Sequence, residues 1–325
     1  MPTSGPTRTA ALALTFSLAA GPAAALELTI GVVNPADDPT TESLMLMKEL
    51  LDNSATGLSL TVYHSGQLGQ EPDLIEQVRI GALDMTTVAA SVVSTFSPTV
   101  GVLDIPYLLT LENDQVWTVL DGEVGDRLAE DIRRDAGLEL LAWWNAGIRS
   151  VYARDRIVDE PSDLEGVRIR VIGAPVYIDT FSAFGAQPVS MPLGEIYTSL
   201  ATGAIDAGES DPSGYRVMKF YEQAPMYSLT SHILLIRPLV MNPDALARMT
   251  PEQRAEFADV LARVTEDQRT RIMARVDSDI AFLQGQGVTV TPVDLAPFRA
   301  AVQPVVEKYS AALGEDLVDA ILEAR

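Results

Sequence analysis

At 325 residues, 47% of them hydrophobic and 21% charged, the chain can bury the cores of two domains or lobes without covalent staples. It has no cysteine, which excludes disulfides, thiolate catalysis and thiolate metal sites, and with only His64 and His232 an imidazole metal cage or histidine-based triad is poorly supplied. A formal net charge of −22 opposes binding to nucleic acid or anionic lipid, and it repels a small anion too unless cations are gathered where that anion sits.

Residues 1–25 read as a secretory signal peptide: no Asp or Glu, one early cation at Arg8, an apolar run from Ala10 to Ala20, and Ala23-Ala24-Ala25 as the small-x-small cleavage pattern. No later segment offers about 18 uninterrupted apolar residues, so the expectation is a soluble protein exported to the periplasm. The chain then opens with a strand over 26–33. A helical pattern follows around Leu44, Met47, Leu50 and Leu51, in which Met45 and Met47 read as ordinary packing, and a second strand covers 58–63. Pro72 suits the first turn of the next helix and Gly81 its end, before a strand near 85–88. Alternating β and α units predict an α/β lobe with a largely parallel sheet.

A second set begins after Trp143-Trp144, with strands in "IRSVYARD" and "VRIRVI", a helix near 177–184, another ending at Gly203, and a strand in "AIDAGES". The sets echo each other: Gly81-Ala-Leu-Asp84 and Gly203-Ala-Ile-Asp206 both read as helix end, glycine turn, aspartate and apolar strand, which suggests two similar lobes facing each other. Thr250-Pro-Glu-Gln253 is a helix start, with Thr as N-cap, Pro at the first helical position and Gln closing a capping box. Apolar periodicity carries that helix to Gly285. At 1.5 Å per residue it is about 50 Å long against roughly 35 Å for one lobe, so it is expected to span both. The expected organisation is lobe 1 over 26–149 with part of 238–285 returning to it, lobe 2 over 150–237, the long helix over 250–285, and a C-terminal segment, 286–325, packing on the lobes.

Two arginines interrupt the apolar strand "GVRIRVIG" (166–173), where Val167, Ile169 and Val171 face one side and Arg168 and Arg170 the other. Ligands of open α/β sheets sit beyond the carboxyl ends of the strands, so Arg170 is the better candidate; the alternative is an edge strand with solvated arginines. Arg149, just after Gly147 at the junction of the halves, is either a cleft wall or a surface cation. A guanidinium can hold a carboxylate through two parallel hydrogen bonds, which lysine cannot reproduce. Glu209, Ser210 and Asp211 follow the last strand of the second set, where they could reach ligand hydroxyls or simply form a turn before Pro212. Trp143 and Trp144 point to opposite faces of a strand and read as packing, and His232 as a structural histidine. GxSxG, P-loop, GxGxxG, HExxH and EF-hand patterns are all missing, so no motif points to an enzyme, a metal or a cofactor.

Taken in order, "VYHSGQLGQEPDLIEQVRIGALDM", "GVLDIPYLL", "VLDGEVG", "LAWWNAGIRSV", "DLEGVRIRVIGAPVYIDTFSAFGAQPVSMPLGEIYTSLATGAIDAGES" and "KFYEQAPMYSLTSH" resemble the DctP-type solute-binding proteins of tripartite ATP-independent periplasmic (TRAP) transporters, over nearly the whole chain after residue 25. The resemblance implies a two-lobed α/β periplasmic binding protein fold, type II-like, with a cleft between the lobes and a long helix spanning both. It implies a small organic anion as ligand, small and large membrane permease subunits as partners, no catalysis and no cofactor, and a monomer by default. Arg170 matches the arginine that clamps the ligand carboxylate, Arg149 one that assists, Ser210 a position usually held by Asn, and Asn34 a frequent polar contact; Glu209 and Asp211 would help read the rest of the ligand. The chain departs from the pattern at Ser210, at Ala146 where Asn is usual, and at Ala89 and Val92, where sialate-binding members carry Glu and Arg. A C4-dicarboxylate or a sugar acid such as a uronate or aldonate therefore fits better than a sialate. The alternatives are a periplasmic carboxylate-based enzyme acting on sugar acids and a sensory ligand-binding protein.

Overall fold

The computed structural model describes Met1, residues 25–109 and residues 115–323; the segment expected to be a signal peptide falls almost wholly outside them. The first half contains β1 (Leu26–Gly31), α1 (Pro39–Asp52), β2 (Leu58–Tyr63), α2 (Glu71–Arg79), β3 (Met85–Thr87), α3 (Ala90–Val93), a 3-10 stretch Pro98–Asp104, α4 (Gln115–Leu120) and α5 (Glu123–Ala136). The long β4 (Glu139–Ala153) leads into β5 (Arg168–Val171), α6 (Pro175–Ala183), β6 (Gln187–Ser190), α7 (Ile196–Thr202), β7 (Ala207–Ser210), α8 (Pro212–Val217) and the long β8 (Met226–Met241). The chain ends with α9 (Pro243–Ala247), α10 (Pro251–Gly285), β9 (Thr289–Pro292), α11 (Leu295–Ala301), α12 (Gln303–Leu313) and α13 (Glu315–Glu323).

The strands form one mixed sheet in the order β2-β1-β3-β8-β4-β7-β5-β6, with β9 alongside β8. Each lobe has the parallel set expected from alternating β and α units: β1 pairs in parallel with β2 and β3, and β5 with β6 and β7. The expectation of a largely parallel sheet fails in the middle, where β4 and β8 run antiparallel from Glu139↔Met241 to Ala153↔Met226 and pass through both lobes. These two strands, 15 and 16 residues long, are buried along most of their length and so read as near-continuous apolar runs rather than as alternation. Helices cover both faces of each half of the sheet. Trp143 and Trp144, adjacent on β4, accordingly enter different cores, one packed with Leu128 and Ile132, the other with Leu44, Met241 and Phe257.

The internal echo has a structural counterpart. Gly81 (φ 73°) and Gly203 (φ 72°) both end a helix in the left-handed region. Asp84 Oδ2 then accepts from the Thr29 amide at 2.7 Å, and Asp206 Oδ2 from the Arg168 amide at 3.2 Å, so each aspartate staples the start of its strand to the parallel neighbour. On α1, Asp38 caps the N-terminus by accepting from the Thr40 amide; Leu44, Met47 and Leu51 are buried, whereas Met45 is 44% exposed and does not pack as expected.

The long helix α10 starts with the capping box expected at Thr250 and Gln253. Its buried positions include Phe257, Val260, Val264, Ile272 and Leu283, and over 35 residues it extends about 52 Å. Polar contacts fix it to both lobes. Ser43 on α1 donates to Asp267 at 2.9 Å, Gln268 exchanges hydrogen bonds with the backbone of Asn145 on β4, and Asp279 receives Ser213 Oγ and Arg216 Nη1 from α8. Among the described residues no helix is long and apolar enough to cross a membrane. Replacing the cap, Thr250→Ala, is expected to cost about 1 kcal/mol and lower the melting temperature by about 2–4 °C in a thermal melt of the ligand-free protein. An unchanged melt would show that the cap contributes nothing.

Candidate functional site

A cavity of about 530 Å³ opens between the lobes, and the residues around it follow from the topology. Asn34 follows β1, Gln70 and Glu71 follow β2, Ala89 follows β3, Ile172 and Gly173 follow β5, Ser190 ends β6, and Ser210 and Asp211 mark the end of β7. The carboxyl ends of both parallel sets therefore converge on one space, the position where open α/β sheets bind ligands. Residues of the two lobes meet at its rim: the Gly194 amide points at Gln70 Oε1 at 3.5 Å, and Leu193 packs with Leu68 against the core of lobe 1.

Five of the six expected site residues line this cavity: Arg170, Arg149, Ser210, Asp211 and Asn34. Glu209 does not. It is 0% exposed and lies behind Arg149, whose Nε and Nη2 engage its two carboxylate oxygens, while Nη2 also donates to the Glu209 carbonyl at 2.5 Å. Burial alone would raise the Glu209 carboxyl, but the adjacent Arg149 charge overrides it and holds the group at about 2, so the pair stays ionised at neutral pH. His232 is buried beside it, with Nδ1 2.9 Å from Thr230 Oγ1 and its ring edge-on to Phe181, a packed structural position, although Nε2, 3.5 Å from Glu209 Oε2, has no hydrogen-bond partner.

Arg170 is 5% exposed and donates from Nε to the Met191 carbonyl at 3.0 Å. Its Nη1 stays 3.8 Å from Glu209 Oε1, too far for a hydrogen bond, and neither terminal nitrogen bonds to a described residue. Burial, reinforced by the nearby Arg149, lowers its affinity for the proton, yet a guanidinium remains charged. Arg168, on the same face of β5, is instead at the surface and held by both oxygens of Asp206.

The polar candidates divide by role. Asp211 caps α8, accepting at Oδ2 from the Ser213 and Gly214 amides at 3.0 Å, and burial pushes its carboxyl up to about 6. Gly147, at a break in register on β4, has φ +83°, and a Cβ there would lie 2.6 Å from Asp211 Cβ, so no other residue allows β4 and α8 to meet at the cavity wall. Asn34 Oδ1 is buried without a hydrogen-bond partner in the structure. Asp38 also lines the wall, with its carboxyl raised by burial. Two further residues escaped the sequence reading: Arg237, in the middle of β8, and Glu71, at the start of α2, joined at 2.7 Å. The signal for Arg237 was present, since a lone arginine in "HILLIRPLVM" is as anomalous as those in "GVRIRVIG".

A larger, more open groove of about 850 Å³ runs along α10 past Trp117, Leu261 and Met273. Its guanidinium, Arg269, is already bound to Asp121 and to the Trp143 carbonyl, so it presents no available cation. Among the described residues no group of three or more His, Cys, Asp or Glu side chains could hold a metal.

Two α/β lobes around a cavity with buried guanidiniums on its wall define a solute-binding protein. The chain belongs to the bacterial extracellular solute-binding protein family 7, DctP, whose model matches residues 30–312. It is 30% identical over 307 residues to the 2,3-diketo-L-gulonate-binding periplasmic protein YiaO of Escherichia coli, covering 93% of each chain. A TRAP periplasmic solute-binding protein of Pseudomonas putida F1, solved with bound D-glucuronate, superposes with a TM-score of 0.86 at 32% identity, covering 91% of this chain and 96% of that one. Another from Xanthobacter autotrophicus Py2, with bound β-D-galacturonate, gives a TM-score of 0.85 at 31% identity over 91% and 98%. These relatives are substrate-binding components of transporters, which sets aside the alternative of an enzyme on this scaffold.

Beneath the Arg149–Glu209 pair, Asp104 is buried with Oδ2 unpartnered and Oδ1 3.4 Å from the Tyr177 hydroxyl. Burial pushes its carboxyl up to about 8. The folded state thus keeps a proton that the unfolded chain releases near pH 4, so this group makes stability fall as pH rises from about 4 to about 8 and adds no slope above that. Asp104→Asn, which cannot ionise, is expected to gain on the wild type progressively across that window in chemical denaturation at stepped pH. A constant difference between the two proteins would contradict it.

Proposed function

We propose that the protein captures a small organic acid, foremost a sugar acid of the uronate or aldonate kind, between its lobes and hands it to a TRAP permease of one small and one large membrane subunit. The single observation that carries this is Arg170: a buried guanidinium facing the cavity with no carboxylate in hydrogen-bond range, in a chain of net charge −22. A ligand carboxylate supplies the missing partner, and the closed, water-poor cavity strengthens the pair. Arg149, already balanced by Glu209, offers a second contact without adding net charge, while Ser210, Asn34 and Asp211 lie where ligand hydroxyls can be met. Ala89 and Val92 line the cavity as small apolar groups, which disfavours a sialate. Lobe 1 (26–149 with part of 238–285) and lobe 2 (150–237) close about the β4–β8 ribbon, and residues 1–25 direct export to the periplasm.

Binding is tested by thermal shift and calorimetry against uronates, aldonates, C4-dicarboxylates and 2-oxo acids, with neutral sugars as controls. At about 1,000 times its dissociation constant a true ligand adds about 4 kcal/mol to stability. Arg170→Ala is expected to keep its circular dichroism spectrum and lose about 2–5 kcal/mol of binding, a factor of about 30 to 5,000. A shift with neutral sugars alone, or wild-type affinity in Arg170→Ala, would refute the proposal.

A further inference from the structure

The wall where α2, β3 and β8 meet is built differently from the β5 wall that carries Arg170. Arg237 is 4% exposed; its Nη2 forms an ion pair with Glu71 Oε1 and donates to the Thr87 carbonyl, both at 2.7 Å. Glu71 Oε2 accepts from the Ala89 amide at 3.2 Å, so both members of the pair are fixed by backbone. Arg237 Nε, a donor, and Asn34 Oδ1, an acceptor, are buried without partners, as is the Thr87 hydroxyl. Asp38, within electrostatic reach of Arg237, adds a carboxylate to the same wall.

The cations on the wall are Arg149, Arg170 and Arg237. Glu209 balances the first and Glu71 the third, which leaves Arg170 as the one guanidinium without an ionic partner in hydrogen-bond range. A second ligand carboxylate against this wall would meet Glu71 and Asp38 with no spare cation to offset them. A hydroxyl can donate to those carboxylates or to Asn34 Oδ1 and accept from Arg237, using both of its capacities. Discrimination of this kind works by building repulsion against the wrong ligand as well as attraction to the right one.

We propose that the Glu71–Arg237 ion pair is the specificity element of the cavity wall at α2, β3 and β8, reading a hydroxyl there and rejecting a second carboxylate, so that the protein takes monoanionic sugar acids and excludes dicarboxylates. This rests on Arg170 anchoring the first carboxylate. D-Glucuronate and D-glucarate form the diagnostic ligand pair, since they share one carboxylate and the opposite carbon, a ring hemiacetal bearing a hydroxyl in glucuronate, is a second carboxylate in open-chain glucarate.

Calorimetry on the full-length mature protein is expected to show glucarate at least about 100-fold weaker than glucuronate, in keeping with unpaired like charges at a desolvated site. Glu71→Gln keeps an acceptor for the Ala89 amide but leaves Arg237 unbalanced. It is expected to weaken glucuronate about 10-fold and strengthen glucarate about 10-fold. The double variant Glu71→Gln/Arg237→Gln restores neutrality and is expected to lose the gain for glucarate, which separates charge from shape. Thermal melts confirm that each variant is folded. Equal wild-type affinity for both acids, or an unchanged ratio in Glu71→Gln, overturns the proposal while leaving the Arg170 anchor standing. Failure of the wild type to bind any sugar acid overturns both.

Discussion

A guanidinium cannot give up its charge in a protein, so a buried arginine must be matched by something else. Arg149 and Arg237 are matched within the fold, by Glu209 and Glu71. Arg170 has only Glu209, shared with Arg149 and beyond hydrogen-bond range, and the cavity is organised around that imbalance. Its Nε is held by the Met191 carbonyl, which aims the side chain, while Glu209 is drawn to Arg149 and stays 3.8 Å away. The pair on Arg149 thus does two things at once: it keeps a second cation in place, and it occupies the carboxylate that would otherwise neutralise Arg170.

The scaffold makes such placement possible because β4 and β8 are shared. Arg149 and Arg237 sit on these two strands, Arg170 on the neighbouring parallel set, and the register break at residues 145–147 brings β4 against Asp211. The long helix α10 fastens the same region, with Gln268 on the backbone of Asn145 and Asp279 on Ser213, which itself lines the cavity two residues after Asp211. Side chains that face the ligand space are therefore supported by a layer of polar contacts that do not.

Much of this was legible in the chain itself. Parallel sets announced themselves through strand–helix alternation, the Gly–Asp echo through two identical turns, and α10 through its capping box, because each is a local pattern. What escaped was non-local. Glu209 looks like a ligand contact when placed one residue before Ser210, yet alternation on β7 and the reach of Arg149 turn it inward. Asp211 looks like a hydroxyl reader but spends an oxygen on the first turn of α8. The pairing of Glu71 with Arg237 joins residues 166 positions apart, and the antiparallel β4–β8 ribbon is equally a matter of tertiary pairing, which no window of local sequence contains.

That ribbon also imposes an order of assembly. Strand β3 borders β8 through Thr87↔Leu239, and Arg237 closes the same seam on the Thr87 carbonyl across 150 residues of chain. The second lobe can complete most of its pairing from one contiguous stretch, whereas the first leaves the edge of β3 bare until β8 arrives. Contacts of such sequence separation bear a large loop-closure entropy and form late. The lobe that leads the chain is the last to be finished, and an exposed β3 edge is the place where a partly folded molecule is most open to mispairing.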